Sequence, residues 1–254
     1  MKHFRETLVA TAIIALAPAV GWAAPGAAGG IEGTPHDFSA SGGGVGVCTF
    51  CHTPHRAIST QLLWNHKLST ASFSWDATET TAGTAYPTFA GDTYKGPTAK
   101  CLSCHDGSVA VGDIAWWNEG APAAPLDNTR HQWPDAFNIG ARNGTLGNMS
   151  GNHPVAMPIP YGNAANTYNG ITTGAQATLS EWVSDPTSVN IRLFSDTGGG
   201  NIKAGAVATR SGIECSSCHD PHNKASEDDL FLRGKMAGNT GGAGGYICLK
   251  CHNK

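Results

Sequence analysis

The chain has 254 residues and a formal net charge of -3 at pH 7, and 14% of its residues are charged. This weakly acidic balance argues against nucleic-acid binding, which needs a basic surface. The chain has 33 glycines and 14 prolines but no collagen-like repeat, so its composition predicts many turns and few long helices.

The N-terminus has the pattern of a secretory signal. Lys2 and Arg5 form a short basic region, the apolar run 8–20 follows, and Gly21-Trp22-Ala23 offers a cleavage site between small residues. We predict a signal peptide over residues 1–23 and one exported domain over residues 24–254. That domain is expected to be extracellular or at the cell surface, otherwise periplasmic. The apolar run is too short to span a bilayer, so no membrane span is expected.

Four copies of the pattern C-x-x-C-H contain every cysteine of the chain. We number them motifs 1 to 4 in chain order. Their residues are Cys48, Cys51 and His52; Cys101, Cys104 and His105; Cys215, Cys218 and His219; and Cys248, Cys251 and His252. The pattern is the attachment site of c-type haem, in which two thiols bind the porphyrin and the adjacent histidine ligates the iron. The sequence therefore predicts four covalently bound c-type haems.

Zinc ribbons and disulfides are the competing interpretations of paired cysteines. Neither needs a histidine directly after each second cysteine. Histidine makes up 11 of the 254 residues, so four such placements would arise by chance in about a few chains per million. The histidines therefore favour haem.

Each iron also needs a distal ligand, and six histidines remain besides His3 and the four proximal ones. Motifs 1 and 3 extend to C-x-x-C-H-x-P-H, which supplies His55 and His222 for neighbouring haems. We favour bis-histidine ligation by His55, His66, His153 and His222, with His36 close behind and His131 last. Six-coordinate irons leave no open position for a substrate, which favours electron transfer over catalysis.

The apolar residues are too dispersed for one large core, so the porphyrins are expected to supply the missing apolar area. The predicted fold class is a multihaem cytochrome c, mostly coil and turns with short helices, organised around four covalently bound haems. One β-hairpin is expected from segments 190–194 and 201–207, which flank the turn at 196–200.

The combined pattern resembles the OmcE-type tetrahaem extracellular cytochromes, which polymerise into conductive filaments. The resemblance covers nearly all of 36–254. The residues that carry it are His36-Asp37, Cys48 to His55, Trp64-Asn65-His66, Cys101 to Gly107, Asn152-His153-Pro154-Val155, Ile213 to His222, Phe231-Leu232-Arg233 and Cys248 to His252. His131 and the Thr/Gly/Asn-rich insert around 140–176 depart from the pattern.

The resemblance implies bis-histidine irons in alternating parallel and T-shaped stacks. It also implies a distal histidine supplied across the interface of a head-to-tail homopolymer. The partners implied are redox proteins and extracellular electron acceptors, and no catalytic residue is expected. Two alternatives stay open. One is a monomeric periplasmic tetrahaem shuttle, and the other is a multihaem reductase, which would need an iron with an open position.

Overall fold

A computed structural model describes residues 30–39, 47–54, 57, 61–74, 96–107, 139, 145–163, 179–198 and 201–253. The predicted signal peptide, His55 and His131 lie outside the described residues. Within these ranges the helices are α1 (Pro97–His105) and α2 (Cys215–Cys218), and shorter 3-10 turns span Gln61–Leu63, Tyr161–Asn163, Pro186–Val189 and Ile247–Lys250. Among the described residues, no helix has both the length and the apolar character needed to cross a membrane.

Four short strands form one antiparallel sheet. They are β1 (Met157–Pro158), β2 (Phe194–Asp196), β3 (Ile202–Ala204) and β4 (Ser211–Ile213), in the order β1-β4-β2-β3. β2 pairs with β3 where the sequence predicts a hairpin. Its first strand begins at Phe194 instead of residue 190, because residues 186–189 form a 3-10 turn that ends at the left-handed Asn190.

The sheet carries a small apolar core. Ile159, Ile191, Leu193 and Ile213 form a buried cluster, and Trp182 and Cys251 pack against it. Burying aliphatic side chains of this size contributes about 1.5 to 3 kcal/mol each. Because β4 runs directly into α2 and Cys251 belongs to motif 4, this core supports two of the four motifs.

A close backbone approach joins residues 72–74 to residues 147–149. The Ser74 amide donates to the Gly147 carbonyl at 2.9 Å, and the Met149 amide donates to the Ser74 carbonyl at 2.9 Å. Gly147 has φ +85°, and a Cβ placed there would lie 2.1 Å from the Ser72 carbonyl oxygen. This position therefore requires glycine both for its backbone conformation and for its lack of a side chain.

Gly147→Ala is expected to lower the free energy of unfolding by about 3 kcal/mol, since the substitution adds a steric clash to an unfavourable φ. Gly162→Ala is the matched control, because Gly162 has φ +72° but nothing within 4 Å of the added Cβ. The control should lose only about 1 kcal/mol, the backbone penalty alone. Denaturant unfolding of the haem-loaded protein measures the free energy of unfolding of the two variants. Equal decreases in that free energy would contradict the steric argument.

Candidate haem sites

Each C-x-x-C-H motif forms a single helical turn. The histidine amide donates to the carbonyl of the first cysteine at 2.9 Å in motif 1 and at 3.0 Å in motifs 3 and 4. Motif 2 occupies the last turn of α1. Residues i, i+3 and i+4 share one face of such a turn, so both sulfurs and the imidazole are presented on the same side. This is the arrangement that a porphyrin attached through two thioethers requires.

The cysteines do not form the groups that the competing interpretations need. All eight are described, and all eight are separate thiols. Within the described ranges, no three Cys, His, Asp or Glu side chains converge as a metal-binding group. A zinc ribbon brings together four such ligands. The described residues thus contain neither a zinc-ribbon ligand set nor a disulfide bond.

A pair of backbone hydrogen bonds, which we call the clamp, recurs at motifs 1, 3 and 4. In each clamp, the amide after the proximal histidine donates to a carbonyl of a separate segment. An amide two residues further along that segment donates back to the carbonyl of the second cysteine. In motif 1 the Thr53 amide donates to the Leu63 carbonyl, and the Asn65 amide donates to the Cys51 carbonyl. In motif 3 the corresponding bonds run from the Asp220 amide to the Phe231 carbonyl and from the Arg233 amide to the Cys218 carbonyl. In motif 4 they run from the Asn253 amide to the Glu181 carbonyl and from the Val183 amide to the Cys251 carbonyl.

The clamp segments of motifs 1 and 3 also orient the proximal imidazoles. His52 Nδ1 lies 2.6 Å from the Leu62 carbonyl oxygen, and His219 Nδ1 lies 2.7 Å from that of Leu230. Because a carbonyl can only accept, Nδ1 must carry the proton. Nε2 then keeps its lone pair for a metal, as in most histidine-ligated sites.

Three histidine pairs have the spacing of two imidazoles on one metal. The ring centres of His36 and His105 are 6.2 Å apart, those of His52 and His222 are 6.3 Å apart, and those of His153 and His252 are 6.3 Å apart. Metal–nitrogen bonds of about 2 Å, plus about 1.1 Å from each nitrogen to its ring centre, give a separation of about 6 Å. Each pair joins one proximal histidine to one other histidine. The residues present therefore fit bis-histidine haem iron at motifs 1, 2 and 4.

In two of these pairs, the histidine outside the C-x-x-C-H motif also lies against a backbone carbonyl. His36 Nδ1 lies 3.4 Å from the Pro221 carbonyl oxygen, and His153 Nδ1 lies 2.8 Å from that of Pro154. Burial, followed by the charge of His105, lowers the pKa of His36 to about 4. At neutral pH His36 is therefore a neutral imidazole, the form that binds metals.

Motifs 2 and 3 are interlocked at the starts of their helices. The Thr98 amide in α1 donates to Glu214 Oε2 at 3.0 Å, and the Cys215 amide in α2 donates to Thr98 Oγ1 at 3.1 Å. Each helix thus receives a cap from the other segment, an arrangement that stabilises helix N-termini. The Cys101 and Cys215 thiols are close enough to perturb each other: the interaction with Cys215 raises the pKa of Cys101, and the interaction with Cys101 lowers the pKa of Cys215. The attachment atoms of two different motifs therefore meet.

Three further histidines were predicted as iron ligands, namely His219, His55 and His66. His219 is clamped and oriented, but His55, the histidine that by analogy with His222 would complete its pair, lies outside the described residues. His66 is completely buried, with its ring centre 5.0 Å from that of Phe50 and 5.6 Å from that of Trp64. The structure thus places His36 beside a proximal ring and His66 among aromatic rings.

Two buried ion pairs beside the motifs were not predicted from the sequence. Lys250, inside motif 4, is fully buried, and its Nζ donates to Glu227 Oε1 at 2.9 Å and Oε2 at 2.8 Å, and to the Arg233 carbonyl at 2.6 Å. The other pair joins Arg233 to Asp220, with 3.5 Å between Nη2 and Oδ1. In the sequence, a lysine between two cysteines suggests an exposed charge, so no local pattern indicated that Lys250 is buried.

Asp220 directly follows the proximal histidine of motif 3. Burial acts to raise its pKa, but the backbone N–H bond from Ala225 and the Arg233 charge hold that pKa below its ordinary value. Asp220 also accepts the amides of His222 and Lys224, at 3.2 and 2.8 Å. The carboxylate therefore fixes the turn that carries His222 towards His52.

No protein-family model matches the chain, and a search of curated proteins finds no significant match.

Proposed function

We propose that this protein is a tetrahaem c-type cytochrome that carries electrons and does not catalyse a reaction. The observation that supports this most strongly is the set of three histidine pairs with ring centres 6.2 to 6.3 Å apart, each including the histidine of a C-x-x-C-H motif. When bound, haem supplies a reversible one-electron Fe(III)/Fe(II) couple. Two imidazoles on each iron leave no open coordination position.

The proposed sites 1 to 4 take their numbers from the motifs. Site 1 is held by Cys48, Cys51, His52 and His222. At site 2 the haem is attached through Cys101 and Cys104, and its iron is ligated by His105 and His36. Cys215, Cys218 and His219 hold site 3, for which His55 is the expected distal ligand. Cys248, Cys251, His252 and His153 hold site 4.

His55 is assigned to site 3 because motifs 1 and 3 share the sequence C-x-x-C-H-x-P-H. His222 occupies the last position of that pattern in motif 3, and its ring pairs with the proximal His52 of motif 1. A reciprocal pairing of His55 with His219 would make the two motifs exchange ligands. His66 then stays a candidate ligand without an assigned iron.

Neighbouring motifs are in contact, which suits transfer of electrons between sites. The Cys101 and Cys215 sulfurs link sites 2 and 3, and His219 and His222 belong to different sites although they are three residues apart. Haems bound at these motifs would therefore lie side by side, which supports electron transfer between them. We propose on the resemblance that copies join head to tail into an extracellular conductive filament with redox proteins and external acceptors as partners.

The first expected result is a cofactor count. The exported protein should carry four covalently bound haems by alkaline pyridine spectroscopy and intact mass. Its Soret band should not change when CO is added to the reduced protein at neutral pH, because every iron is six-coordinate. A CO-induced shift would instead indicate an open iron and favour the reductase alternative. Zinc in place of haem would overturn the proposal.

The second expected result separates filament from shuttle. Negative-stain electron microscopy of haem-loaded protein sheared from cells should show filaments of uniform width whose mass spectrum matches this chain. Monodisperse single-chain particles with four haems would contradict the filament and leave the electron-carrier assignment intact. That outcome would support the monomeric periplasmic shuttle.

A further inference from the structure

Two short turns in the structure have an unfavourable backbone conformation. Leu62 and Leu63 have φ 60° and 50°, and Leu230 and Phe231 have φ 56° and 61°. Left-handed backbone costs about 1 to 2 kcal/mol for each residue that is not glycine. Consecutive pairs of such residues persist only where their surroundings require them. We call them the left-handed turns of motifs 1 and 3.

Side-chain packing involves one of the four turn residues: Phe231 is 9% exposed, and its ring stacks on that of His36 with 4.8 Å between the ring centres. Leu62, Leu63 and Leu230 are 57%, 46% and 48% exposed. The backbone hydrogen bonds of the turns are interactions that can offset the cost of their left-handed backbone.

Both carbonyls of each turn bind the adjoining haem motif. The first turn residue, Leu62 or Leu230, accepts from Nδ1 of the proximal histidine at 2.6 or 2.7 Å. The second, Leu63 or Phe231, accepts from the amide after that histidine at 2.8 or 2.7 Å. Two successive carbonyls of an extended strand point in opposite directions. The left-handed conformation is what turns both towards the motif.

The same arrangement is reached through two different loops. The carbonyl of the first turn residue lies 10 residues after His52 and 11 residues after His219. Motif 4 has a clamp but receives it from the upstream segment 181–183. Equal contacts from loops of unequal length indicate that the histidine contact, not the loop, determines the conformation.

We propose that the left-handed turns Leu62–Leu63 and Leu230–Phe231 are positioning elements that lower the reduction potentials of sites 1 and 3. The inference rests on the proposed function. A carbonyl that accepts from Nδ1–H makes the imidazole a more basic ligand, and a more basic ligand stabilises Fe(III) over Fe(II). Leu62 and Leu230 act through their backbone carbonyls, so the identity of their side chains matters only through φ.

Two substitutions at each turn separate backbone from side chain. Leu62→Ile keeps the apolar volume but places a β-branched residue at positive φ, which is a severe outlier. Leu62→Gly removes the side chain and retains the conformation. In the haem-loaded protein, Leu62→Ile should raise one of the four reduction potentials by about 59 mV, a tenfold change in the redox equilibrium. Leu62→Gly should leave all four reduction potentials unchanged. At site 3, Leu230→Ile should raise one potential by a similar amount, and Leu230→Gly should leave all four unchanged.

Leu146→Ile is the matched control, because Leu146 is 49% exposed and is not among the residues with positive φ. It should leave all potentials unchanged. Equal shifts in the Ile and Gly variants, or no shift in Leu62→Ile, overturn the inference. Haem content is measured first: fewer than four haems in the wild-type protein rejects the proposed function itself, whereas four haems with unmoved potentials rejects the turns alone.

A measurement on the wild-type protein covers the case in which Leu62→Ile fails to bind haem. The Nδ1 protons of His52 and His219 should exchange slowly with solvent deuterium in NMR spectra, because each is held by a turn carbonyl. Leu62→Gly should preserve that protection. Rapid exchange of both protons in the wild-type protein overturns the inference without any destabilised variant.

Discussion

His222→Ala is expected to convert one of the four haems from low spin to high spin without lowering the haem content. The reason is that the ring centre of His222 lies 6.3 Å from that of His52, the proximal histidine of motif 1, whereas its own motif contains His219. The variant removes a distal ligand but no attachment group. About one CO should bind per reduced protein, since one iron gains an open position.

The location of that iron can be tested by a double variant. Cys48→Ala with Cys51→Ala removes the attachment groups of site 1, so adding His222→Ala to that background should create no further CO site. His131→Ala is the control, because the sequence ranks His131 last among the candidate ligands, and it should leave all haems low-spin. If His222→Ala still creates a CO site when site 1 is missing, His222 serves another iron and the pairing is wrong.

Lys250→Met is expected to lower the free energy of unfolding of the haem-loaded protein by about 3 kcal/mol. Removing one member of a buried ion pair typically costs about 3 to 5 kcal/mol, and the lower end applies because the partner is not fully buried. The Lys250 side chain is 0% exposed and that of Glu227 is 21% exposed. The substitution also leaves the Arg233 carbonyl without the Lys250 Nζ donor at 2.6 Å.

Lys235→Met is the matched control for Lys250→Met. Lys235 is exposed and donates to the backbone carbonyl of the same Glu227. Its loss should change the free energy of unfolding by no more than about 0.5 kcal/mol, as is usual for surface positions. Adding Glu227→Gln to Lys250→Met should recover part of the loss, since no unpaired carboxylate remains. Similar losses in the two lysine variants, measured by denaturant unfolding, would show that burial of the pair is not decisive.

The C-x-x-C-H motifs can be recognised in the sequence because they are local. Two cysteines and a histidine within five residues are the pattern from which haem attachment is predicted, and one helical turn is enough to place them on a common side. The hairpin was readable for the same reason, since Gly198, Gly199 and Gly200 mark a turn between two apolar segments. Its strand boundary was not, because the left-handed Asn190 ends a 3-10 turn where the sequence suggested strand.

The distal ligands could only be ranked from the sequence. His36 came after His66 in that ranking, yet the structure brings the His36 ring to 6.2 Å from His105 and buries His66 beside Phe50. The difference is physical. Any exposed-looking histidine can be a ligand in a sequence, but its partner depends on how segments that are distant in the chain pack together.

The sequence by itself therefore determined that this chain has four C-x-x-C-H motifs and enough histidines for two axial ligands on each of four irons, and it predicts an export signal. The tertiary structure decided which other histidine lies beside the C-x-x-C-H histidine of motifs 1, 2 and 4. It also decided that Lys250 is buried, and that two left-handed turns hold the proximal imidazoles of motifs 1 and 3. These contacts join residues far apart in the chain, and their energies depend on burial and on backbone direction, which no local pattern of residues encodes.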